Sequence, residues 1–379
     1  MWIRTNLKLY QIMKEIKVVL VVLLLSVLQF SFAQMKLPVI HANSKTVDIR
    51  EGKMLRKGYW TISPQLKPDV YSALNQKVTF ITDLDSISFN LNSKHETYRF
   101  IILLNGKDTA LTQVNYQIPY LEKLKKAEKY NYSDKRVVPK FSYQVKNNPE
   151  LIRVRQDLML DSIAGQGNEI SKILNLMHWV HDVVRHDGNS KNPTQRNAID
   201  LINVCKTANR GVNCRMMATI LNECYLSMGI KSRFVTCKPK ETDFDDCHVI
   251  NMVYSTELNK WIWIDPTFNA YVMNEKGEML GLAEVRERLI KGKTLILNPD
   301  ANWNRKESQT KEFYLENYMA KNLYRLECPI SSEYDAETYK EGKIITFLEL
   351  VPLDGLIQTP ESKERLKTNN PDLFWAKPE

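Results

Sequence analysis

Two periodicities divide the chain. Before residue 118 apolar residues alternate with polar ones in short runs. Residues 78–82, 86–90 and 98–104 are rich in β-branched and aromatic side chains and bounded by turn residues. Asn105-Gly106 after Leu104 is a two-residue hairpin signal. Residues 34–118 therefore predict a small, antiparallel, β-rich domain. A basic, tyrosine-rich connector at 119–149 follows, with a helix expected at 121–130 and a break at Lys146-Asn147-Asn148-Pro149.

Helical spacing then takes over. Helices are predicted at 150–163, 169–185 and 198–206; in the second, Ile170, Ile173, Leu174, Met177, Val180 and Val184 form one apolar face. A fourth, 214–228, stops at Gly229. Strands are expected at 230–236, 248–254 and 260–264. Alternation places His248 with Ile250, Met252 and Tyr254 on one face, and Asp265 with Trp261 and Trp263. Beyond these come a helix at 283–291, an aromatic stretch at 313–324, a strand at 343–350 and a polar tail. Residues 150–300 read as a core domain and 301–379 as an extension packed on it. No internal repeat is apparent.

Composition narrows the class. At 379 residues the chain exceeds one ordinary domain, and 43% hydrophobic with 26% charged residues is globular rather than disordered. Residues 1–33 carry Arg4, Lys8, Lys14 and Lys17, an apolar run at 18–30 and Ser31-Phe32-Ala33, the pattern of a secretory signal peptide. An uncleaved anchor is the alternative; no cysteine follows the run to take a lipid. Secretion or periplasmic residence is expected, without stable membrane insertion after cleavage. Removing this segment takes away four basic residues and Glu15, lowering the net charge from +9 to +6. What remains is scattered in short groups such as Lys123, Lys125 and Lys126, with no basic stripe interleaved with aromatics, so no nucleic-acid partner is expected.

Six cysteines remain: Cys205, Cys214, Cys224, Cys237, Cys247 and Cys328. Export permits disulfides, and Cys237 and Cys247, at facing ends of neighbouring strands, are placed to pair. Cys224 reads as a buried core thiol.

The chemistry concentrates at Arg210-Gly211-Val212-Asn213-Cys214-Arg215-Met216-Met217-Ala218. Asn213 is a favoured N-cap, which sets Cys214 in the first turn of a helix. Unpaired N–H groups and the positive end of the helix dipole there favour a thiolate, the attacking form of cysteine. His248 and Asp265 follow on separate strands, completing a nucleophile, a base and a carboxylate to orient the base.

These blocks, with Gly229-Ile230-Lys231-Ser232-Arg233, Asp246-Cys247-His248-Val249 and Lys260-Trp261-Ile262-Trp263-Ile264-Asp265-Pro266, resemble the transglutaminase-like superfamily of papain-like cysteine enzymes over about 151–267. The resemblance implies an α+β fold in which the cysteine-bearing helix packs on an antiparallel sheet carrying the other two residues. It also implies Cys214 as nucleophile, His248 as base and then acid, and Asp265 as orienter. The expected reaction is attack on a peptide, protein or other amide to form a thioester, resolved by water in preference to an amine, with protein-glutamine transamidation as the alternative outcome. The Cys214 N–H is one expected oxyanion donor; the second is not identifiable from sequence. Arg210-Gly211 is also weakly similar to the arylamine acetyltransferase motif, although an acetyl-CoA donor fits poorly with export. A silent scaffold used for binding or assembly is the alternative from another class.

No cofactor and no metal are expected. His178, His181, Asp182, His186 and Asp187 gather on or beside one helix, but a solvated or cleft-lining polar face explains them more simply than zinc. Loop 185–189 is placed to border the cleft. Asp243, Asp245 and Asp246 lack the full oxygen-ligand pattern of a calcium loop and read as a solvated turn.

Overall fold

The computed structural model describes residues 37–379 except 53, 66, 93 and 245. Residues 1–33, where a secretory signal peptide is expected, and Asp245 thus lie outside the described residues. Among those described, no helix is long and apolar enough to cross a membrane. The chain forms two compact units, the first ending at Ile118 and the second running Pro119–Glu379.

In the first unit, strands β1 (Val39–Ala42), β7 (Thr97–Leu104), β8 (Asp108–Tyr116) and β4 (Asp69–Ala73) make one four-stranded sheet in the order β1-β7-β8-β4. The other sheet has the order β3-β2-β5-β6, from β2 (Thr46–Glu51), β3 (Met54–Thr61), β5 (Lys77–Ile81) and β6 (Ser86–Asn90). One apolar core, including Ile49, Phe80, Phe100 and Val114, serves both. The arrangement is not purely antiparallel: β1 runs parallel to β7 and β4 to β8. Parallel neighbours need long crossovers, and here the crossovers travel through the second sheet, which a run-by-run reading of alternation does not reveal. The expected hairpin forms between β7 and β8, but its loop takes in Lys107 as well, because Leu104 pairs with Asp108; Asn105 and Gly106 adopt positive φ of 53° and 66°.

The second unit is built on a six-stranded sheet. Its strands are β9 (Ser232–Lys238), β10 (His248–Ser255), β11 (Lys260–Ile264), β12 (Arg325–Pro329), β13 (Phe347–Leu350) and β14 (Arg365–Thr368), in the order β11-β10-β9-β12-β13-β14. Every pair is antiparallel except β13–β14. The tail beyond residue 350 is therefore not merely polar: it adds the edge strand β14. It also adds a short helix whose Phe374, with Trp375, Phe141 and Trp261, surrounds the buried Arg233 guanidinium.

Helices precede the sheet: α1 (Tyr120–Lys125), α2 (Pro149–Asp157), α3 (Leu160–Ala164), α4 (Glu169–Val183), α5 (Ala198–Thr207) and α6 (Cys214–Ser227). The single helix expected at 150–163 is two, because Met159 takes a left-handed φ of 52° and turns the chain, so that Leu160 and Ala164 join Val154 in the core. Helix α6 is almost wholly buried against β9 and β10 and ends on Gly229, φ 79°, whose N–H returns to the Leu226 carbonyl while Ile230 N–H returns to Tyr225. The Asn251 amide donates to the Ala218 carbonyl at 2.9 Å, a buried bond that ties α6 to the strand beginning at His248.

The expected Cys237–Cys247 disulfide is absent, and all six cysteines are free. Cys237 stands opposite His248 across β9 and β10. Cys247 precedes the facing strand and lies outside the paired register, so it has no cross-strand partner position opposite Cys237.

Candidate active site

Asn213 caps α6 as its pattern predicts: φ −75° and ψ 171°, with the side-chain oxygen accepting from Met216 N–H at 3.1 Å. Cys214 is thus the first helical residue, partly exposed while nearly all that follows it in α6 is buried. Gly211 explains how a second segment reaches the helix start. A Cβ at this position would meet the Arg185 carbonyl at 2.6 Å and the Asp187 Cβ at 2.7 Å. Without one, residues 185–187 lie against 211–212 as a short parallel bridge: Val212 N–H donates to Arg185 O at 3.0 Å and Asp187 N–H to Val212 O at 2.8 Å. His186 sits at the centre of that bridge, beside the turn that leads into Cys214.

Asp265 and His248 are carried by the sheet. Asp265 follows β11, is fully buried, and forms a two-way backbone bridge with Ala270. Its Oδ2 accepts from His248 Nε2–H at 2.7 Å and from the Tyr314 hydroxyl at 2.6 Å; its Oδ1 accepts from Thr267 and Phe268 N–H. Tyr314 in turn accepts from Trp263 Nε1–H at 3.1 Å. A carboxylate with this many donors has its orientation fixed. With Nε2 committed to Asp265, His248 presents Nδ1 to the other side, where it meets the Cys214 thiol and, at 3.3 Å, the Tyr318 hydroxyl. Phe268 and Tyr318 pack edge-on against the imidazole.

The electrostatics follow from this arrangement. Burial pushes the Cys214 thiol up, but hydrogen bonds from His186 and His248, with the charge on His248, outweigh it and bring the thiol down to about 6. Burial opposes charge on His248 too, yet the Asp265 charge and hydrogen bond, joined by the Cys214 sulfur, raise it to about 10. The two shifts, down for the thiol and up for the imidazole, both favour the thiolate–imidazolium form of the pair. The other cysteines behave oppositely; Cys224, Cys237 and Cys328 are held as thiols by burial.

The three residues singled out from sequence are therefore brought together. His186 was placed only as a loop residue bordering the cleft; in fact its ring reaches the sulfur. His181 does not lie on a solvated face, whereas the His178 side chain stays partly exposed. His181 is buried between the Pro266 carbonyl and the Asn302 side chain, both at 2.9 Å, and His178 Nδ1 meets Asn269 Oδ1 at 2.6 Å, so both pin the loop after Asp265. Tyr314 and Tyr318 come from a π-helical segment, Glu312–Met319, whose role the aromatic stretch alone did not disclose. Among the described residues no group of three or more His, Cys, Asp or Glu side chains is arranged to hold a metal ion.

Comparison with known proteins agrees at the level of the domain. Residues 157–266, which contain Cys214, His248 and Asp265, match the model of the transglutaminase-like superfamily. No match was found among curated proteins. Among solved structures, a Cytophaga hutchinsonii protein described as a candidate cysteine protease is 23% identical over 31% of this chain and 37% of its own, with a TM-score of 0.25. Red sea bream transglutaminase is 11% identical over 66% of this chain and 52% of its own, also with a TM-score of 0.25. The chain thus spans about a third and about half of these two proteins. The distant link to a superfamily associated with amide and acyl chemistry rests on the matched domain.

Proposed function

We propose that this protein is a thiol-dependent acyl-transfer enzyme acting on a peptide, protein or other amide, with Cys214 as nucleophile, His248 as acid and base, and Asp265 as orienter. The observation that supports it most is the buried Asp265–His248 pair, which leaves one imidazole nitrogen facing a thiol whose pKa is lowered to about 6.

In this mechanism the Cys214 thiolate attacks the amide carbonyl carbon, and the carbonyl electron pair moves onto oxygen. The intermediate collapses as the C–N bond breaks and the His248 imidazolium passes its proton to the departing amine, leaving a thioester on Cys214. Neutral His248 then takes a proton from the second acceptor, which expels the thiolate. We favour water as that acceptor, because amine transfer demands a site from which water is excluded. Secretion or periplasmic residence, suggested by residues 1–33, belongs to the same proposal.

The test is acylation of the purified protein by p-nitrophenyl acetate, followed by intact-mass analysis. The account expects a p-nitrophenolate burst and an acetyl group on Cys214, both lost in Cys214→Ala and strongly slowed in His248→Ala. Equal acylation of the Cys214→Ala variant overturns it. A fluorescent primary amine offered with a glutamine peptide then separates hydrolysis from transamidation.

A further inference from the structure

The second imidazole at Cys214 has a fixed polarity. Trp303 Nε1 lies 3.0 Å from His186 Nδ1. An indole nitrogen can only donate, so Nδ1 is the acceptor and the ring carries its hydrogen on Nε2. His186 also hydrogen-bonds the Cys214 side chain, and with Nδ1 taken by Trp303 the nitrogen left for it is Nε2.

The supporting residues allow little other choice. Trp303 and Asn304 belong to one small hairpin in which Asn302–Trp303 pairs with Glu307–Ser308. Asn304, at a positive φ of 52° in its turn, accepts from His186 N–H at 2.8 Å and donates to His186 O at 3.0 Å. Asn302, on the same hairpin, holds His181. His186 is thus gripped through both its backbone groups and its ring, and Gly211 lets that backbone approach the turn entering α6. Such rigidity exceeds what a cleft-bordering loop needs. It is what a pre-aimed hydrogen-bond donor requires.

The two imidazoles consequently differ in kind. His248 has its far nitrogen on a carboxylate, which favours gaining a proton. His186 has its far nitrogen on a donor, which leaves Nε2–H as a donor toward the reaction centre. We propose that His186 Nε2–H is the second oxyanion donor of this site, acting with the Cys214 backbone N–H on the oxygen that becomes negative when the thiolate adds to a carbonyl, and that Trp303 positions it.

This inference rests on the acyl-transfer reading above, and its test separates the two. Two reactions of Cys214 are compared in the full chain at a pH where the thiolate is fully formed: acylation by p-nitrophenyl acetate, which passes through an oxyanion, and alkylation by iodoacetamide, which passes through none. For His186→Ala the acylation rate should fall about 10²–10³-fold, with the plateau alkylation rate within about threefold of wild type. His186→Gln, which retains an N–H donor, should recover much of the loss. Trp303→Phe, keeping bulk but not the donor, should give an intermediate loss in acylation only. Acylation by His186→Ala at the wild-type rate overturns the assignment while leaving the Cys214 reading intact. Equal losses in both reactions would make His186 a thiolate-positioning group instead, and would also overturn it. A wild-type protein that alkylates but never acylates would defeat both proposals.

Discussion

His248 and Asp265 share one hydrogen bond of 2.7 Å, Nε2–H to Oδ2, with both side chains essentially out of solvent. An unpartnered carboxylate at that depth would be expensive, and so would an unpartnered imidazolium. Each is stable because the other is there, and because Tyr314, Thr267 and Phe268 supply the remaining donors to the carboxylate. Asp265→Asn replaces an acceptor with an amide that can donate toward Nε2 and favour the wrong tautomer. We expect acylation through Cys214 to fall about 10²–10⁴-fold with the fold retained, checked by burst kinetics alongside circular dichroism. A variant with near-native rates would show that the pair is structural only.

Gly211 makes a different prediction, since its importance is spatial. Gly211→Ala sets a methyl 2.6 Å from the Arg185 carbonyl, so residues 185–187 must retreat from the Cys214 turn. We expect a stability loss of about 1–3 kcal/mol in urea unfolding. Acylation should fall in the manner of a His186 variant, and alkylation should persist.

The Asn213 cap couples stability to reactivity. Removing its bond to Met216 N–H in Asn213→Ala should cost about 1 kcal/mol of unfolding free energy. The first helical turn, with Cys214 in it, should also fray. The check is a urea midpoint together with the pH midpoint of alkylation, which should rise relative to wild type.

Glu223 offers a test of the core away from the site. Burial raises its carboxyl to about 8 despite the N–H bonds it accepts from Ala198 and Asp335. A carboxyl with a folded pKa above its unfolded value near 4.5 holds its proton longer in the folded state. Its contribution is therefore complete below about 4.5 and is lost as pH rises through about 8. Stability should decline across that interval by an amount on the order of a few kcal/mol, and Glu223→Gln should flatten the slope. Urea unfolding of both proteins at pH 5 and pH 8.5 measures it.

How much of this was legible in the sequence depended on range. Asn213, Gly229 and the alternation around His248 act within a few residues, and the helix start, the helix end and the strand faces appear where their chemistry placed them. His186 was not legible as a donor, because its partners Trp303 and Asn304 lie 117 and 118 residues away and no periodicity links them. The same holds for Tyr314, whose bond to Asp265 spans 49 residues. The parallel pairs of the first unit and the late strands β12 and β14 are not legible for a related reason: sheet neighbours are chosen by the tertiary fold, and a four-residue strand such as Arg365–Thr368 carries little signal of its own. Cys237 and Cys247 are near in sequence, but the register sets His248, not Cys247, opposite Cys237.

The central claim is a thiolate paired with an imidazolium, and the pH dependence of Cys214 alkylation by iodoacetamide, read by mass spectrometry, measures it directly. The thiol is lowered from 9.0 to about 6, so the rate should climb through about pH 6 and stay level while His248 remains protonated, to about pH 10. In His248→Ala the midpoint should move up toward that of an ordinary thiol. A wild-type midpoint near 9, unchanged by the loss of His248, would contradict the account.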